Sequence, residues 1–303
     1  MSRGGAVFGM IIGGGPRLVG DCVGILAGGG PLPGQVARAV EALGFRVFII
    51  GFQDFVEPRV IDSWPHRYIR LAAAGEILSC LRAEGCRDLV MIGPVRRPSF
   101  SDLRPDAAGA RIMARIGRAL FSGDDGLLAA IVRVLAEEGF TIHGAHEFLS
   151  GSVGRSGVLG QHRPDAGALA DIQRGQDVVE AIGQLDIGQG CVVQDGLVLA
   201  VEAMEGTDRM LLRAGECRQA GRPGGVLVKM LKPGQDRRAD LPTIGPDTVR
   251  CAMEVGLRGI AFQAGATLIT DPVACIAAAD EAGLFLIGIG DRAAGMPAAR
   301  TGE

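Results

Sequence analysis

The part of the sequence that most limits its fold is an apolar run that ends in three glycines. Residues 23–27 (VGILA) form the apolar run, and residues 28–30 are all glycine. Apolar residues then recur at helical spacing over residues 32–44, and a second apolar run follows at residues 45–51 (FRVFIIG). This order predicts a strand, a crossover helix and a second strand parallel to the first. The chain therefore opens with a parallel sheet.

The same alternation of strand-like and helical segments continues through the first half of the chain. Helical spacing is found at residues 73–85, 106–120 and 126–138, and strand-like runs lie at residues 88–93 and 140–145. Strands that alternate with helices favour an α/β fold with helices on both faces of the sheet. We therefore predict a Rossmann-like domain with a parallel sheet for this half.

A stretch rich in glycine and serine separates the two halves of the chain, and its composition is typical of a linker. The second half is predicted to be mixed α/β, with a hairpin turn at Asp195-Gly196. The predicted division is an N-terminal extension at 1–21, the Rossmann-like domain at 22–150, the linker at 151–160 and a C-terminal α/β domain at 161–303.

Charge and composition exclude several classes of protein. The 31 Lys and Arg residues nearly balance 34 Asp and Glu residues, for a net charge of −3, which argues against a nucleic-acid binder held by bulk electrostatics. The seven cysteines show no C-x-x-C spacing, so we interpret them as apolar core residues of a protein from a reducing compartment. No uninterrupted apolar run reaches the roughly 18 residues that a membrane helix requires.

Two loops at predicted strand ends could bind an anion. Gly28, Gly29 and Gly30 follow a strand and open a helix, where backbone N–H groups and the helix dipole favour a phosphate. The dinucleotide pattern G-x-G-x-x-G is not met, because Pro33 occupies its last position, and a tight turn is the alternative. Arg97 follows another predicted strand and could bind a phosphate.

Three acidic residues and a threonine outside the main cluster are also candidates for the site. Asp124 stands beside Asp125 at the start of a predicted helix; either could cap that helix, and one of the two, for which we choose Asp124, could bind a metal ion. Glu205 and Asp208 belong with Glu202 to a stretch of three carboxylates at the end of a predicted strand and could bind Mg²⁺ through their oxygens, although a solvated acidic turn is the alternative. Thr207 lies between them, and we assign it to substrate binding.

The densest group of charged residues follows the predicted strand at residues 226–230. It combines cations with carboxylates around a Pro-Gly turn, and this combination suits phosphoryl chemistry. The cations offset the charge of the phosphates, while the carboxylates hold a metal ion or orient water. We predict Lys229, Lys232, Asp236 and Asp240 as catalytic, Asp236 and Asp240 also as metal ligands, and Gln235 and Thr243 as substrate-binding residues.

Five segments of the chain together resemble a known family of enzymes. In order they are GILAGGGPLP, RRPSFSDLRPD, GDDGLL, VEAMEGTDRML and VKMLKPGQDRRADLPTIGPDT. In sequence and spacing they are similar to the UDP-2,3-diacylglucosamine pyrophosphatases of lipid A biosynthesis, the metal-dependent kind that is unrelated to calcineurin-like phosphoesterases. The resemblance runs from about Val23 to about Gly290, and the segment KPGQDRRADLPTIG is the most specific part of it.

The resemblance implies a reaction, a cofactor and a location. Members of this family hydrolyse UDP-2,3-diacylglucosamine to UMP and 2,3-diacylglucosamine 1-phosphate (lipid X), with Mg²⁺- or Mn²⁺-assisted attack of water on the sugar-side phosphorus. The lipid is expected between the two domains, and the family's acidic site falls on Asp236 and Asp240. Because the implied substrate is a membrane lipid, we expect a cytoplasmic protein that contacts the inner face of the inner membrane. A homodimer is the default expectation.

Two other classes of function stay open at the level of sequence. A dinucleotide-binding oxidoreductase is disfavoured by Pro33 and would bind a nicotinamide cofactor. A non-catalytic carrier would bind the nucleotide lipid and never release UMP, even with added Mg²⁺.

Overall fold

The first half of the chain folds around a five-stranded parallel sheet. The computed structural model describes residues 15–96, 105–117, 119 and 123–290. In chain order the elements of this half are β1 (Cys22–Ala27), α1 (Leu32–Ala42), β2 (Arg46–Phe52), α2 (Pro58–Ile61), β3 (His66–Ile69), α3 (Ala74–Ala83), β4 (Asp88–Ile92), α4 (Ala107–Ile116), α5 (Asp124–Glu137), β5 (Thr141–His143) and α6 (Ala145–Phe148). The strand order is β3-β2-β1-β4-β5, as in doubly wound sheets.

Helices cover both faces of this sheet because the strands are apolar on both sides. All six residues of β1 are buried. Ile25 packs in a cluster with Val36 of α1, whereas Leu26, on the opposite face of the strand, packs with Leu81 of α3 and Leu135 of α5. A strand buried on both faces has no need of alternating polar residues, and this explains the continuous apolar runs in the sequence.

The second half of the chain folds around a six-stranded mixed sheet. Its elements are β6 (Gly157–Leu159), α7 (Ala166–Gln184), β7 (Gly190–Gln194), β8 (Leu197–Val201), α8 (Thr207–Glu216), β9 (Val226–Lys229), β10 (Thr243–Ile244), α9 (Pro246–Glu254), β11 (Gly259–Gln263), β12 (Leu268–Ile269), α10 (Pro272–Glu281) and β13 (Phe285–Ile289). The order is β6-β13-β11-β9-β7-β8. The prediction of an α/β protein with two domains, the first with a parallel sheet and the second mixed α/β, is confirmed.

The predicted hairpin is present between β7 and β8, which pair antiparallel. Asp195 and Gly196 both adopt positive φ angles, 48° and 78°. Two successive residues with positive φ are what a tight two-residue hairpin turn requires, and Gly pays no steric penalty there.

The structure differs from the sequence prediction at the segment taken as a linker. Residues 157–159 form β6, an edge strand that pairs antiparallel with β13. Glycine and serine made the composition look flexible, but the pairing uses backbone groups, which composition does not report. The end of the predicted extension is also attached, since the N–H groups of Val19 and Gly20 donate to the buried Asp88 carboxylate at 3.1 and 2.7 Å.

The two domains share part of their hydrophobic core. Leu241 and Leu268 of the second domain pack in the same cluster as Val36 of α1 and Phe148 of α6. In addition, the Gln35 side chain of α1 donates to the backbone oxygen of Thr270 at 2.8 Å. The side of the first sheet that carries α1 and α6 therefore contacts the second domain.

The helices of the described ranges are amphipathic or short. The longest of them, α7, has 19 residues and carries charged side chains at Asp171, Arg174 and Asp177. Among the described residues, no helix combines the length and the apolar composition needed to cross a membrane.

One glycine at the end of β1 is required by close backbone contact. A Cβ atom at Gly28 would lie 2.4 Å from the backbone oxygen of Gly93. We therefore expect Gly28→Ala to lower the free energy of unfolding by about 2 kcal/mol, because the backbone after β4 must move. Gly151→Ala is the control, since a Cβ there meets no atom within 4 Å. Urea unfolding of the two variants measures the difference, and equal stabilities would contradict the prediction.

Candidate active site

A cavity of about 750 Å³ lies where the two domains meet. The described residues that the first domain contributes to it are all apolar or glycine, and most of them come from the ends of β1 and β4 and from α3, α4 and α5. Every polar side chain among the described lining residues belongs to the second domain, namely Gln189, Lys229, Asp240, Thr243 and Thr270. The cavity is thus apolar on one side and carries its hydrogen-bonding groups on the other.

Strand directions in the second sheet explain why these polar groups meet. Strand β7 runs antiparallel to both β8 and β9, so the carboxyl ends of β8 and β9 lie beside the start of β7. Lys229 is the last residue of β9, Gln189 directly precedes β7, and Glu202 directly follows β8. Asp240 lies in the segment that connects β9 to β10, and Thr243 is the first residue of β10. The polar end of the cavity therefore lies at the edge of the sheet where β8 and β9 end and β7 begins.

Asp240 lies deep in the protein, but its side chain lines the cavity and is accessible from it. Its carboxylate accepts a 3.4 Å hydrogen bond from Gln235 Nε2. Burial raises the pKa of the Asp240 carboxyl to about 6, and the charge of Asp125 adds to the rise, whereas Lys229 and Lys232 oppose it. A carboxyl with a pKa near 6 is ionised at neutral pH and is a better proton acceptor than an ordinary aspartate.

Lys229 is almost completely buried, with 5% of its surface exposed. Its Nζ donates to Thr207 Oγ1 at 2.6 Å and to the backbone oxygen of Thr243 at 3.2 Å. Glu202 Oε1 lies 3.9 Å from the same Nζ. Three of the predicted site residues, Lys229, Thr207 and Thr243, are therefore in direct contact.

Lys232 joins the two domains. Its Nζ lies 2.9 Å from Asp125 Oδ1 of α5 and 2.6 Å from Asp186 Oδ1, which follows α7. Burial acts to lower the pKa of Lys232, but hydrogen bonds to Asp186 and Asp125 outweigh it and the pKa is raised. Lys232 is not among the residues that line the cavity. The structure thus places this predicted catalytic lysine in an interdomain ion pair beside the cavity.

Lys229 and Lys232 are the only lysines in the 303-residue sequence. The other cations are arginines, although lysine and arginine serve equally well at most exposed positions. An ammonium is a compact donor with three N–H groups, whereas a guanidinium is planar and larger. Both lysines of the sequence lie at this end of the second sheet.

The loop at Gly28, Gly29 and Gly30 forms part of the cavity wall but offers few free hydrogen-bond donors. Gly29 and Gly30 line the cavity, but the N–H groups of Gly28 and Gly29 already donate to the backbone oxygens of Ile92 and Pro94, both at 2.9 Å. The prediction that this loop binds phosphate assumed free N–H groups, and two of the three are in use.

Several predicted residues are engaged elsewhere. Asp236 accepts hydrogen bonds from Arg238 on both carboxylate oxygens, and Glu205 pairs with Arg213. Neither residue, nor Asp208 at the start of α8, lines the cavity. Arg97 and the side chain of Asp124 lie outside the described part of the chain. In that part, no three His, Cys, Asp or Glu side chains are grouped as a metal site.

Sequence reasoning did not identify Gln189 or Asp186, and it noted Glu202 and Asp125 only as neighbours of the chosen Glu205 and Asp124. Glu202 Oε2 and Gln189 Oε1 are buried and have no hydrogen-bond partner among the described residues. The place of Glu202 directly after a strand could have favoured it over Glu205 and Asp208. Gln189 and Asp186 carry no pattern in the sequence that would have identified them.

These features define a two-domain α/β protein with an apolar cavity that ends in a lysine and a carboxylate. The family model of the LpxI N-terminal domain matches residues 22–152, and that of the LpxI C-terminal domain matches residues 155–287. A curated relative, the UDP-2,3-diacylglucosamine pyrophosphatase LpxI of Caulobacter vibrioides, is 44% identical over 272 residues, which are 88% of this chain and 97% of the relative. The chain belongs to the LpxI family.

A solved structure, CobK precorrin-6A reductase, covers 91% of this chain and 90% of its own at 15% identity and a TM-score of 0.33. A score this low supports no conclusion about the fold or the function.

The raised pKa of Asp240 predicts that this residue destabilises the metal-free protein at alkaline pH. The folded chain binds the proton more tightly than the unfolded chain, so the penalty is complete above the folded pKa of about 6 and decreases as the pH falls below it. We expect Asp240→Asn to raise the thermal midpoint more at pH 8 than at pH 5.

Asp236→Asn is the matched control, because hydrogen bonds from Arg238 lower the pKa of Asp236. An ionised Asp236 therefore stabilises the fold, and its replacement should lower the midpoint at pH 8. Thermal melts in chelator at both pH values measure the two effects. A midpoint for Asp240→Asn that does not depend on pH relative to the natural protein would contradict the assignment.

The ion pair at Lys232 makes a second prediction. Replacing Lys232 with Met would remove the ammonium that pairs with both Asp125 and Asp186, and we expect the free energy of unfolding to fall by about 2 kcal/mol. The double change Lys232→Met with Asp186→Asn should recover part of the loss. Arg222→Ala, which removes an exposed pair with Asp195, serves as the control in urea unfolding and should have a much smaller effect.

Proposed function

We propose that this protein hydrolyses the diphosphate of UDP-2,3-diacylglucosamine to give UMP and 2,3-diacylglucosamine 1-phosphate. The observation that carries the proposal is the polarity of the cavity, whose described first-domain lining is apolar and which ends at Lys229 and Asp240. A lipid with a charged head needs a pocket of this kind, with few polar groups at one end. The activity named for the relative from Caulobacter vibrioides supports the same substrate.

In this mechanism the acyl chains occupy the apolar side of the cavity, between α3, α4 and α5. Each methylene removed from water there contributes about 0.8 kcal/mol to binding. The diphosphate then lies at the second-domain end, within reach of Lys229 and Asp240. Binding energy from the chains thus places the reacting phosphorus at the residues that act on it.

Asp240 acts as the base that accepts a proton from the attacking water. The water oxygen bonds to the sugar-side phosphorus, the bond from that phosphorus to the bridging oxygen breaks, and UMP leaves with the bridging oxygen. Charge builds up on the departing phosphate in the transition state, and Lys229 offsets it. Arg97 is proposed to contribute a second cation to the diphosphate, as predicted from the sequence.

The donor set fits a hard divalent cation such as Mg²⁺ or Mn²⁺. Mg²⁺ in such sites is held by one or two carboxylates together with waters and substrate phosphates, so a three-carboxylate cluster is not required. Asp240 would hold the ion, with Asp124 or Asp125 at the start of α5 as the second carboxylate. Asp125 already acts on Asp240 electrostatically, and a cation between them would relieve that repulsion. When bound, the ion would neutralise phosphate charge.

A membrane-lipid substrate requires the protein to reach a bilayer surface. We propose transient contact with the inner face of the inner membrane from the cytoplasmic side, with the lipid drawn into the cavity for hydrolysis.

The reaction is tested by phosphorus NMR of the purified protein with UDP-2,3-diacylglucosamine in ¹⁸O-labelled water. We expect UMP to form only with added Mg²⁺ or Mn²⁺ and the label to be found on the lipid phosphate. The label on UMP would contradict attack at the sugar-side phosphorus. Tight binding of the lipid without UMP release under any condition would favour a carrier over an enzyme.

The residue assignment is tested with Asp240→Ala, which we expect to lower kcat by at least about 100-fold, the scale of a lost general base. Asp236→Ala tests the other aspartate of the sequence prediction, and the ion pair with Arg238 leads us to expect a much smaller loss. Asp247→Ala, an exposed partner of Arg250 on α9, is the control. Near-normal turnover of Asp240→Ala would overturn the assignment.

A further inference from the structure

We propose that Glu202 is a positioning residue, which acts through the hydroxyl of Thr207 to hold Lys229 Nζ at the polar end of the cavity. This inference rests on the proposed function for its kinetic part, because Lys229 is the cation assigned to the diphosphate. Its structural part stands on contacts within the chain and can be tested without any substrate.

The three side chains form a chain of hydrogen bonds. Lys229 Nζ donates to Thr207 Oγ1 at 2.6 Å, and Thr207 Oγ1 in turn donates to Glu202 Oε1 at 2.7 Å. The direct distance from Lys229 Nζ to Glu202 Oε1 is 3.9 Å, which is too long for a hydrogen bond. The Thr207 hydroxyl therefore connects the two charged groups: the Glu202 carboxylate orients the hydroxyl, and the hydroxyl orients the Lys229 amine.

Pairing of the strands keeps the carboxylate in place. Gly190 of β7 is paired with Lys229 of β9, and its backbone oxygen accepts a 2.8 Å hydrogen bond from the N–H of Glu202. A Cβ at Gly190 would lie 2.6 Å from Glu202 Oε2. The absence of a side chain at Gly190 thus makes the space in which the Glu202 carboxylate lies beside Lys229.

Lys229 and Glu202 are both buried, so the hydrogen bonds that link these side chains through Thr207 matter for the position of the amine. The side chains of Lys229 and Glu202 are 6% and 8% exposed, so water cannot substitute for either partner. An ammonium has three donors, and the described residues accept two of them, through Thr207 Oγ1 and the backbone oxygen of Thr243. The third donor is left for the cavity, where Asp240 and the proposed diphosphate lie.

The alternative is that Glu202 only balances a buried charge and that the direction of the amine does not matter. The two readings differ in what the hydroxyl does. If charge balance alone mattered, removing the hydroxyl and keeping Glu202 would leave Lys229 unchanged. If the hydroxyl aims the amine, its removal should disturb Lys229 even though the charges are intact.

Because the chain contains only two lysines, its lysine side chains can be observed separately. Protein labelled with ¹⁵N at lysine Nζ should give two amine signals, one from Lys229 and one from Lys232. Lys232→Arg assigns them by removing one signal. We expect Thr207→Val and Glu202→Gln each to shift the Lys229 signal and to speed its hydrogen exchange, while the Lys232 signal stays in place.

Matched variants separate positioning from general damage. Thr207→Ser keeps the hydroxyl and should restore the Lys229 signal of the natural protein. Glu216→Gln, at the exposed end of α8, and Thr141→Val, at the exposed start of β5, are controls for the same chemical changes elsewhere and should leave the signal in place. A Lys229 signal that is unaffected by both Thr207→Val and Glu202→Gln would overturn the proposal.

The kinetic readout is the separation of kcat from KM. Loss of a hydrogen bond to a charged group predicts a decrease in kcat of about tenfold for Thr207→Val and Glu202→Gln. KM should change little, since the apolar wall of the cavity is intact, and Thr207→Ser should recover kcat. Equal losses in Thr207→Ser and Thr207→Val would show that the hydroxyl does not position the amine.

The two kinds of failure are distinguishable. If the protein releases no UMP but the Lys229 signal responds as expected, the proposed function fails and the positioning chain stands. If UMP is released normally by both variants, the positioning role fails and the proposed function stands.

Discussion

The cost of burying two lysines at one edge of a sheet shapes the structure around them. A buried ammonium is unfavourable unless a carboxylate and hydrogen-bond acceptors compensate for it. Lys229 obtains them from the β7–β8 hairpin and from α8, through Glu202 and Thr207. Lys232 obtains them from both domains, through Asp186 and Asp125. These contacts hold three elements beside the end of β9, namely the hairpin, the start of α8 and the start of α5.

The first domain could be predicted well from the sequence, for a physical reason. Strands β1, β2 and β4 are largely buried on both faces, so each one is a nearly continuous apolar run, and glycines lie in the turns that follow β1 and β4. Strand β3 (HRYI) is mostly exposed and has no such run. The hairpin at Asp195-Gly196 was predictable because few residue pairs tolerate two positive φ angles. By contrast, the pairing of Gly157–Leu159 with β13 depends on backbone groups that every residue has, and composition therefore suggested a linker.

The site was predictable only in part. Lys229, Thr207, Thr243 and Asp240 could be identified because they follow strands and belong to clusters of charged or polar residues. Asp186 is an isolated carboxylate in the sequence, and Glu202 belongs to the same acidic stretch as Glu205 and Asp208. Only strand direction and domain packing bring Glu202 and Asp186 to the lysines. The sequence does not distinguish Asp236 from Asp240 as a site residue. In the structure Arg238 pairs with Asp236 and leaves Asp240 facing the cavity. The apolar cavity was beyond prediction, because a lipid pocket and a protein core are built from the same residue types.

The division of the cavity between the domains means that its apolar wall and most of its polar groups are encoded in separate folding units. Among the described lining residues, the first domain contributes apolar and glycine residues and the second contributes the polar side chains. Substitutions in α3 or α4 can therefore reshape the pocket without entering the neighbourhood of Lys229. Over evolution, substitutions in the first half of the gene could adapt the pocket to lipids with different acyl chains, while the half that carries most of the reacting groups stays unchanged.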